Sequence, residues 1–132
     1  MNYVKYLSIP NKHLGADFSG CDCFGLVKLI YKNEFNVTLP DCDDYAKNWE
    51  LTDAKKILRL YTKFGFKKVP DTKFGDVILI NESNYPKHLG VVINDGYFLH
   101  TLESGTFCHS YLVGVYSQII HSVFRYKRGL IC

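Results

Sequence analysis

His88-Leu89-Gly90-Val91-Val92-Ile93-Asn94-Asp95-Gly96-Tyr97-Phe98-Leu99-His100 is the run that decides the fold. Leu89 to Ile93 and Tyr97 to Thr101 read as buried strands. Asn94-Asp95-Gly96 between them is a tight-turn signal, because Gly and Asn tolerate the positive φ that hairpin turns demand. A turn centred on Asp95 leaves His88 seven residues before the apex and His100 five after it. Adjacent antiparallel strands folded in this way bring the two imidazoles near each other.

Working outward, Asp76-Val77-Ile78-Leu79-Ile80 reads as a third buried strand, with shorter strands expected near Thr106 to Ser110 and Ser122 to Lys127. The first half of the chain is different. From Asp22 to about Glu34, Phe24, Val27, Ile30 and Tyr31 recur at helical spacing, and Leu26 and Leu29 close the ring, so the helix is largely buried. Asp22 is its natural N-cap, since a carboxylate there accepts a first-turn N–H. A second helix is expected from Thr52 through Ile57, Leu58 and Tyr61, with Gly65 as its C-terminal glycine. Pro40 to Glu50 reads as a polar loop with a short helical turn, and the first twenty residues, with Pro10, Gly15 and Gly20, as an irregular lead-in. Helices first and antiparallel strands later is the α+β pattern. The simplest architecture is a five- or six-stranded sheet with one face on the buried helix.

With 132 residues and neither repeats nor linkers, residues 1–132 read as a single domain with a core of its own. The net charge of +3 comes from scattered basic residues, so no patch points to nucleic acid. No stretch approaches the roughly 20 apolar residues of a membrane helix. Met1 to Pro10 has no apolar run of signal-peptide length. Five cysteines without a regular framework argue against disulfides, and neither Cys21-Asp22-Cys23 nor Cys108-His109 has zinc-knuckle spacing, so no metal is expected.

Cys23 falls in the first turn of the buried helix. There the free N–H groups and the helix dipole are expected to lower its thiol pKa and to hold an oxyanion beside the sulfur. Gly25 allows another backbone to approach the helix. His88, at a strand entrance, is placed to act as base, and His100, one strand on, to orient it; thiol, base and orienting group are the minimum set for covalent acyl transfer. His13, His109 and His121 read as packing or surface residues, Cys21 as packing, and Trp49 as core or rim.

Gly20-Cys21-Asp22-Cys23-Phe24-Gly25-Leu26-Val27 resembles the Asp-Cys-x-Gly-Leu/Phe-Val nucleophile motif of NlpC-type cell-wall peptidases. Phe74-Gly75-Asp76-Val77-Ile78 is similar to their Gly-Asp-Leu/Val strand entrance, His88-Leu89-Gly90-Val91-Val92-Ile93 to their His-Val-Gly-Ile-Tyr-Ile motif, and Gly96-Tyr97-Phe98-Leu99-His100 to their Gly-x-Phe-Ile-His stretch. The four stand in the family's order across most of the chain. Ile9-Pro10, Phe24 after the nucleophile, Leu39-Pro40 and the run from Phe98 to Glu103 resemble the bacteriophage tail subgroup.

This resemblance implies a papain-like α+β fold with N-terminal helices packed on the sheet. It implies a thiol protease without cofactor that hydrolyses peptidoglycan stem peptides, usually between γ-D-glutamate and diaminopimelate or lysine. Cys23 would be the nucleophile, His88 the base and His100 the orienting group, with Asp22, Phe24 and Asn11 towards the substrate. The implied partners are peptidoglycan and other tail-tip proteins. The implied location is the virion, after synthesis in the host cytoplasm without a signal peptide. One departure is clear: the family's tyrosine before the nucleophile is replaced in Asn11-Lys12-His13-Leu14-Gly15, where one glycine remains. A structural tail-tip component that keeps the peptidase fold, and an acyltransferase or deamidase on it, are the alternative readings.

Overall fold

A computed structural model describes residues 2–39, 64–82, 85–94 and 96–127. A 3-10 turn at Tyr3–Tyr6 and a two-residue hairpin, β1 (Ala16–Asp17) and β2 (Gly20–Cys21), lead into helix α1 (Cys23–Phe35). Six strands follow: β3 (Phe66–Val69), β4 (Val77–Glu82), β5 (Tyr85–Asn94), β6 (Tyr97–Leu102), β7 (Gly105–Ser110) and β8 (Ile120–Tyr126). They form one antiparallel sheet in the order β3-β8-β4-β5-β6-β7. The architecture is the α+β arrangement that the sequence implies, with the sheet at six strands.

Helix α1 begins and ends where the side chains allow. Asp22 stays extended and caps it, its Oδ1 accepting the Gly25 N–H at 2.8 Å. Asn36 ends it in the left-handed region (φ 54°), which Asn tolerates better than most residues. Alternation along the strands divides the core in two. Val77, Leu79, Leu89, Val91, Ile93 and Leu99 face α1 and pack with Leu26, Val27 and Ile30. Ile78, Ile80, Val92 and Phe98 face the other way, under Tyr111 and the 3-10 turn Val115–Gln118 that carries Tyr116. Burying each such Leu, Ile or Phe is worth about 1.5–3 kcal/mol, so both faces hold the sheet.

An ion pair on a buried carboxylate fixes the end of β4. Asp76, 1% exposed, takes a bidentate contact from Arg125 of β8: Nε to Oδ1 at 3.0 Å and a terminal nitrogen to Oδ2 at 2.9 Å. The Lys73 N–H also donates to Asp76 Oδ2 at 2.8 Å, and the Tyr31 hydroxyl of α1 donates to the Gly75 carbonyl. Helix, turn and sheet are thereby joined at one corner.

Three elements depart from the sequence reading. The lead-in contains the β1–β2 hairpin, whose turn is closed by Asp17 Oδ1 accepting the Ser19 N–H at 2.9 Å. Phe66–Val69 is an edge strand rather than a connection after a helix. Its Lys67 and Lys68 are exposed, which obscures the strand pattern and is a common way to protect a sheet edge. Residues 115–118 form a 3-10 turn that no sequence signal marks. The loop expected at Pro40 to Glu50 and the helix expected from Thr52 to Tyr61 lie outside the described residues, as do Cys42, Trp49 and Cys132.

Candidate active site

Two constraints place Cys23. Asp22 uses both carboxylate oxygens: Oδ1 caps α1, and Oδ2 accepts the Leu14 N–H at 2.8 Å. Gly25 meets the lead-in so closely that a Cβ there would stand 1.7 Å from the Gly15 carbonyl oxygen. The close approach expected at Gly25 is therefore made by Gly15. Cys23 opens the helix, half-buried, where the backbone N–H groups of Leu89, Phe24 and its own residue favour the charged form of its sulfur. Leu89 directly follows His88, so the thiol lies at the stretch of β5 that carries that histidine.

The lowered thiol pKa expected at a helix start does not occur. Burial, and then the Asp22 charge, push the Cys23 thiol up to about 12, against the pull of the three N–H donors. The physical reason is that desolvation penalises the thiolate, while the capping carboxylate offsets the positive helix end that would have favoured it. At neutral pH Cys23 is a thiol.

His88 and His100 come together as the hairpin reading expected. His88 Nε2 and His100 Nδ1 are 2.7 Å apart, with the rings edge-to-face. The register pairs His100 with Gly90, and a bulge between Val92 and Asn94 absorbs the turn, so His88 reaches His100 diagonally. Both are buried, His88 at 7% and His100 at 0% exposure. Burial first, then the neighbouring histidines, hold the His100 pKa down to about 2, so this imidazole is neutral throughout the physiological range.

His109, read from sequence as packing or surface, is joined to this pair. Its Nδ1 lies 2.6 Å from His100 Nε2. The three rings therefore make a row from β5 through β6 to β7. A countable signal was available in the sequence. Leu102 and Gly105 pair across the Glu103-Ser104 turn, with Gly105 at φ 129°, and counting from there puts His109 opposite Phe98 and diagonal to His100.

The residues expected towards the substrate take these places. Phe24 is 8% exposed and packs in the core beneath α1. Asn11 is exposed, and its amide donates to the Leu102 carbonyl at 3.1 Å, tying the lead-in to the end of β6. Asp22 is the cap already described, with each carboxylate oxygen engaged by a backbone N–H. Cys21 is fully buried against Thr101, Sγ to Oγ1 at 3.5 Å. His121, on β8, contacts Ser122 and is two strands away from His88 in the sheet. Cys21, Cys23 and Cys108 are free thiols. Among the described residues no group of His, Cys, Asp or Glu is arranged to hold a metal ion, and no helix is long and apolar enough to cross a membrane.

The sequence model of the NlpC/P60 family matches residues 10–125, a span that includes Cys23 and all three histidines of the row. This chain belongs to the NlpC/P60 family. Solved structures agree on the fold. An NlpC/P60 family protein from Bacillus cereus superposes with a TM-score of 0.65 at 21% identity, over 92% of this chain and 36% of that one. This chain thus spans little more than a third of the Bacillus protein. The NlpC/p60 domain of the peptidoglycan hydrolase SagA superposes with a TM-score of 0.57 at 16% identity, over 90% of this chain and 88% of that domain. None of the curated proteins matches significantly.

Proposed function

We propose that this NlpC/P60 chain is a cysteine peptidase that cleaves peptidoglycan stem peptides, with Cys23 as nucleophile, His88 as general base and His100 as its orienting group. One observation carries the reading: His88 Nε2 is held 2.7 Å from a second, neutral imidazole, and the residue after His88, Leu89, is the β5 residue whose N–H acts on the Cys23 thiol at the start of α1.

Because the resting group is a thiol, attack and deprotonation are coupled. His88 takes the Sγ proton as sulfur bonds to the amide carbonyl carbon, and His88, now an imidazolium, donates its Nε2–H to His100 Nδ1. The Cys23 N–H and a neighbouring first-turn donor receive the oxyanion. The C–N bond breaks as His88 returns the proton to the leaving amine. Water, deprotonated by His88, then releases the thioester as a carboxylate and regenerates the thiol. The finer assignment is a phage tail that opens the wall locally at the bond between γ-D-glutamate and diaminopimelate or lysine; it rests on the tail-like motifs around Phe24 and from Phe98 to Glu103. The SagA likeness and the family support the wall as substrate.

The test is digestion of purified sacculi, with new termini identified by mass spectrometry. Cys23→Ala should abolish cleavage while melting close to the parent. Sacculi solubilised equally by that variant would remove Cys23 from the chemistry.

A further inference from the structure

We infer that His109 is a positioning residue of this site, its Nδ1 accepting the Nε2–H of His100 and so keeping His100 in the tautomer that can receive a proton-bearing His88. The inference rests on the peptidase reading and adds to it a side chain two strands away from the nucleophile's base.

The reasoning follows from the donor and acceptor count of a neutral imidazole, which has one of each. His100 faces a ring nitrogen on both sides, His88 Nε2 at 2.7 Å and His109 Nδ1 at 2.6 Å. When His88 becomes an imidazolium, its Nε2 carries hydrogen, and only a bare His100 Nδ1 can accept it. The single hydrogen of His100 then sits on Nε2 and needs an acceptor. His109 Nδ1 is that acceptor, which leaves the His109 hydrogen on its own Nε2. In the opposite tautomer, His100 would point an N–H at the imidazolium N–H, and the charged base would lose its support. A wrong imidazole tautomer within a catalytic triad is a known way to lose rate with the geometry intact. The low His100 pKa accords with this, because a His100 that stays neutral orients the base without taking its proton.

The setting of His109 is built for orientation. Its ring lies nearly parallel to Phe107 on its own strand (5.9 Å, 24°) and to Tyr116 (5.2 Å, 25°). Tyr116 also meets His100 edge-on at 4.9 Å, so one aromatic residue sets the planes of both histidines. His109 is half-buried and belongs to β7, at the edge of the sheet.

The experiment compares His109→Asn, whose Oδ1 stands about where the histidine Nδ1 does, with His109→Leu, which has similar size and no acceptor. Long-range proton–nitrogen spectra of the His100 ring report its tautomer directly, and sacculus hydrolysis reports kcat and KM. H109L should lose the pure Nε2–H form of His100 and about tenfold in kcat, the worth of one orienting hydrogen bond, with KM unchanged. H109N should restore both. An unaltered His100 spectrum in H109L, or H109N and H109L falling equally in kcat, overturns the inference. If the parent protein leaves sacculi intact, the peptidase reading falls instead, and the ring spectra still decide the role of His109.

Discussion

Gly25→Ala tests how tightly the helix that Cys23 opens is seated. The added Cβ would lie 1.7 Å from the Gly15 carbonyl oxygen and 2.7 Å from its carbon, whereas real Cβ atoms essentially never come within 3.0 Å. Helix α1 and the lead-in would have to separate by about 1.3 Å, and both contacts are backbone, so no side chain can swing aside. Alanine gains about 1 kcal/mol in helix propensity over glycine. Overpacking against a rigid partner costs about 1–3 kcal/mol and, with backbone on both sides, more. The net loss is about 2 kcal/mol, which lowers the melting temperature of a domain this size by about 8 °C. Cys23 sits at the displaced end, and under the proposed mechanism a shift on the order of 1 Å there costs about a hundredfold in rate. Calorimetry and sacculus hydrolysis measure the two effects. A G25A protein that melts at or above the parent temperature with full activity would refute the close seating of α1 on Gly15.

The other expectations concern the buried charge and the buried imidazole. Asp76→Ala removes the bidentate partner of Arg125, which keeps its Asp71 contact, and leaves the Lys73 N–H without its acceptor, at a cost of about 1–3 kcal/mol, readable as a lower urea midpoint. The His100 pKa is depressed from 6.5 to about 2, so the unfolded chain binds a proton there that the folded chain refuses. Its contribution is complete above about pH 6.5 and is lost as the pH falls toward 2, on the order of 2 kcal/mol by pH 5. Urea titrations at pH 7 and pH 5 should show this slope in the parent and not in His100→Asn; equal slopes would show that His100 titrates normally. The raised Cys23 pKa predicts that a His88→Ala protein shows thiolate absorbance for this residue only as the pH approaches about 12, and early absorbance near pH 9 would contradict it.

Much of this site can be read from the chain because local signals and tertiary needs coincide there. Asp22 is a cap in sequence and in space, and the apolar run after it has a helical period and packs on the sheet. Asn94 and Gly96 bracket a turn, so the two strands and their histidines follow by counting. Other features depend on distant partners. Lys67 and Lys68 obscure β3, which exists because β8 offers it an edge. Asp76 reads as a strand entrance, and only the return of Arg125 on β8 makes it an ion pair. Cys23 shows the limit most sharply. Its place at the helix end is a local matter, but the thiol's acidity depends on how deeply the finished fold encloses the sulfur, and enclosure has no period or motif. His109 falls between these cases, since the Glu103-Ser104 turn locates it and only the aromatic neighbours Phe107 and Tyr116 give its ring a direction.

The two-handed Asp22 carboxylate has a further consequence. One oxygen grips the helix and the other grips Leu14, so the first turn of α1 and the rim that precedes it are yoked and travel as one piece. A peptide leaning on that rim would feel any tilt of the helix at once. Under the proposed peptidase reading, a change along Asn11 to Gly15 would therefore be passed to the helix start through that one carboxylate.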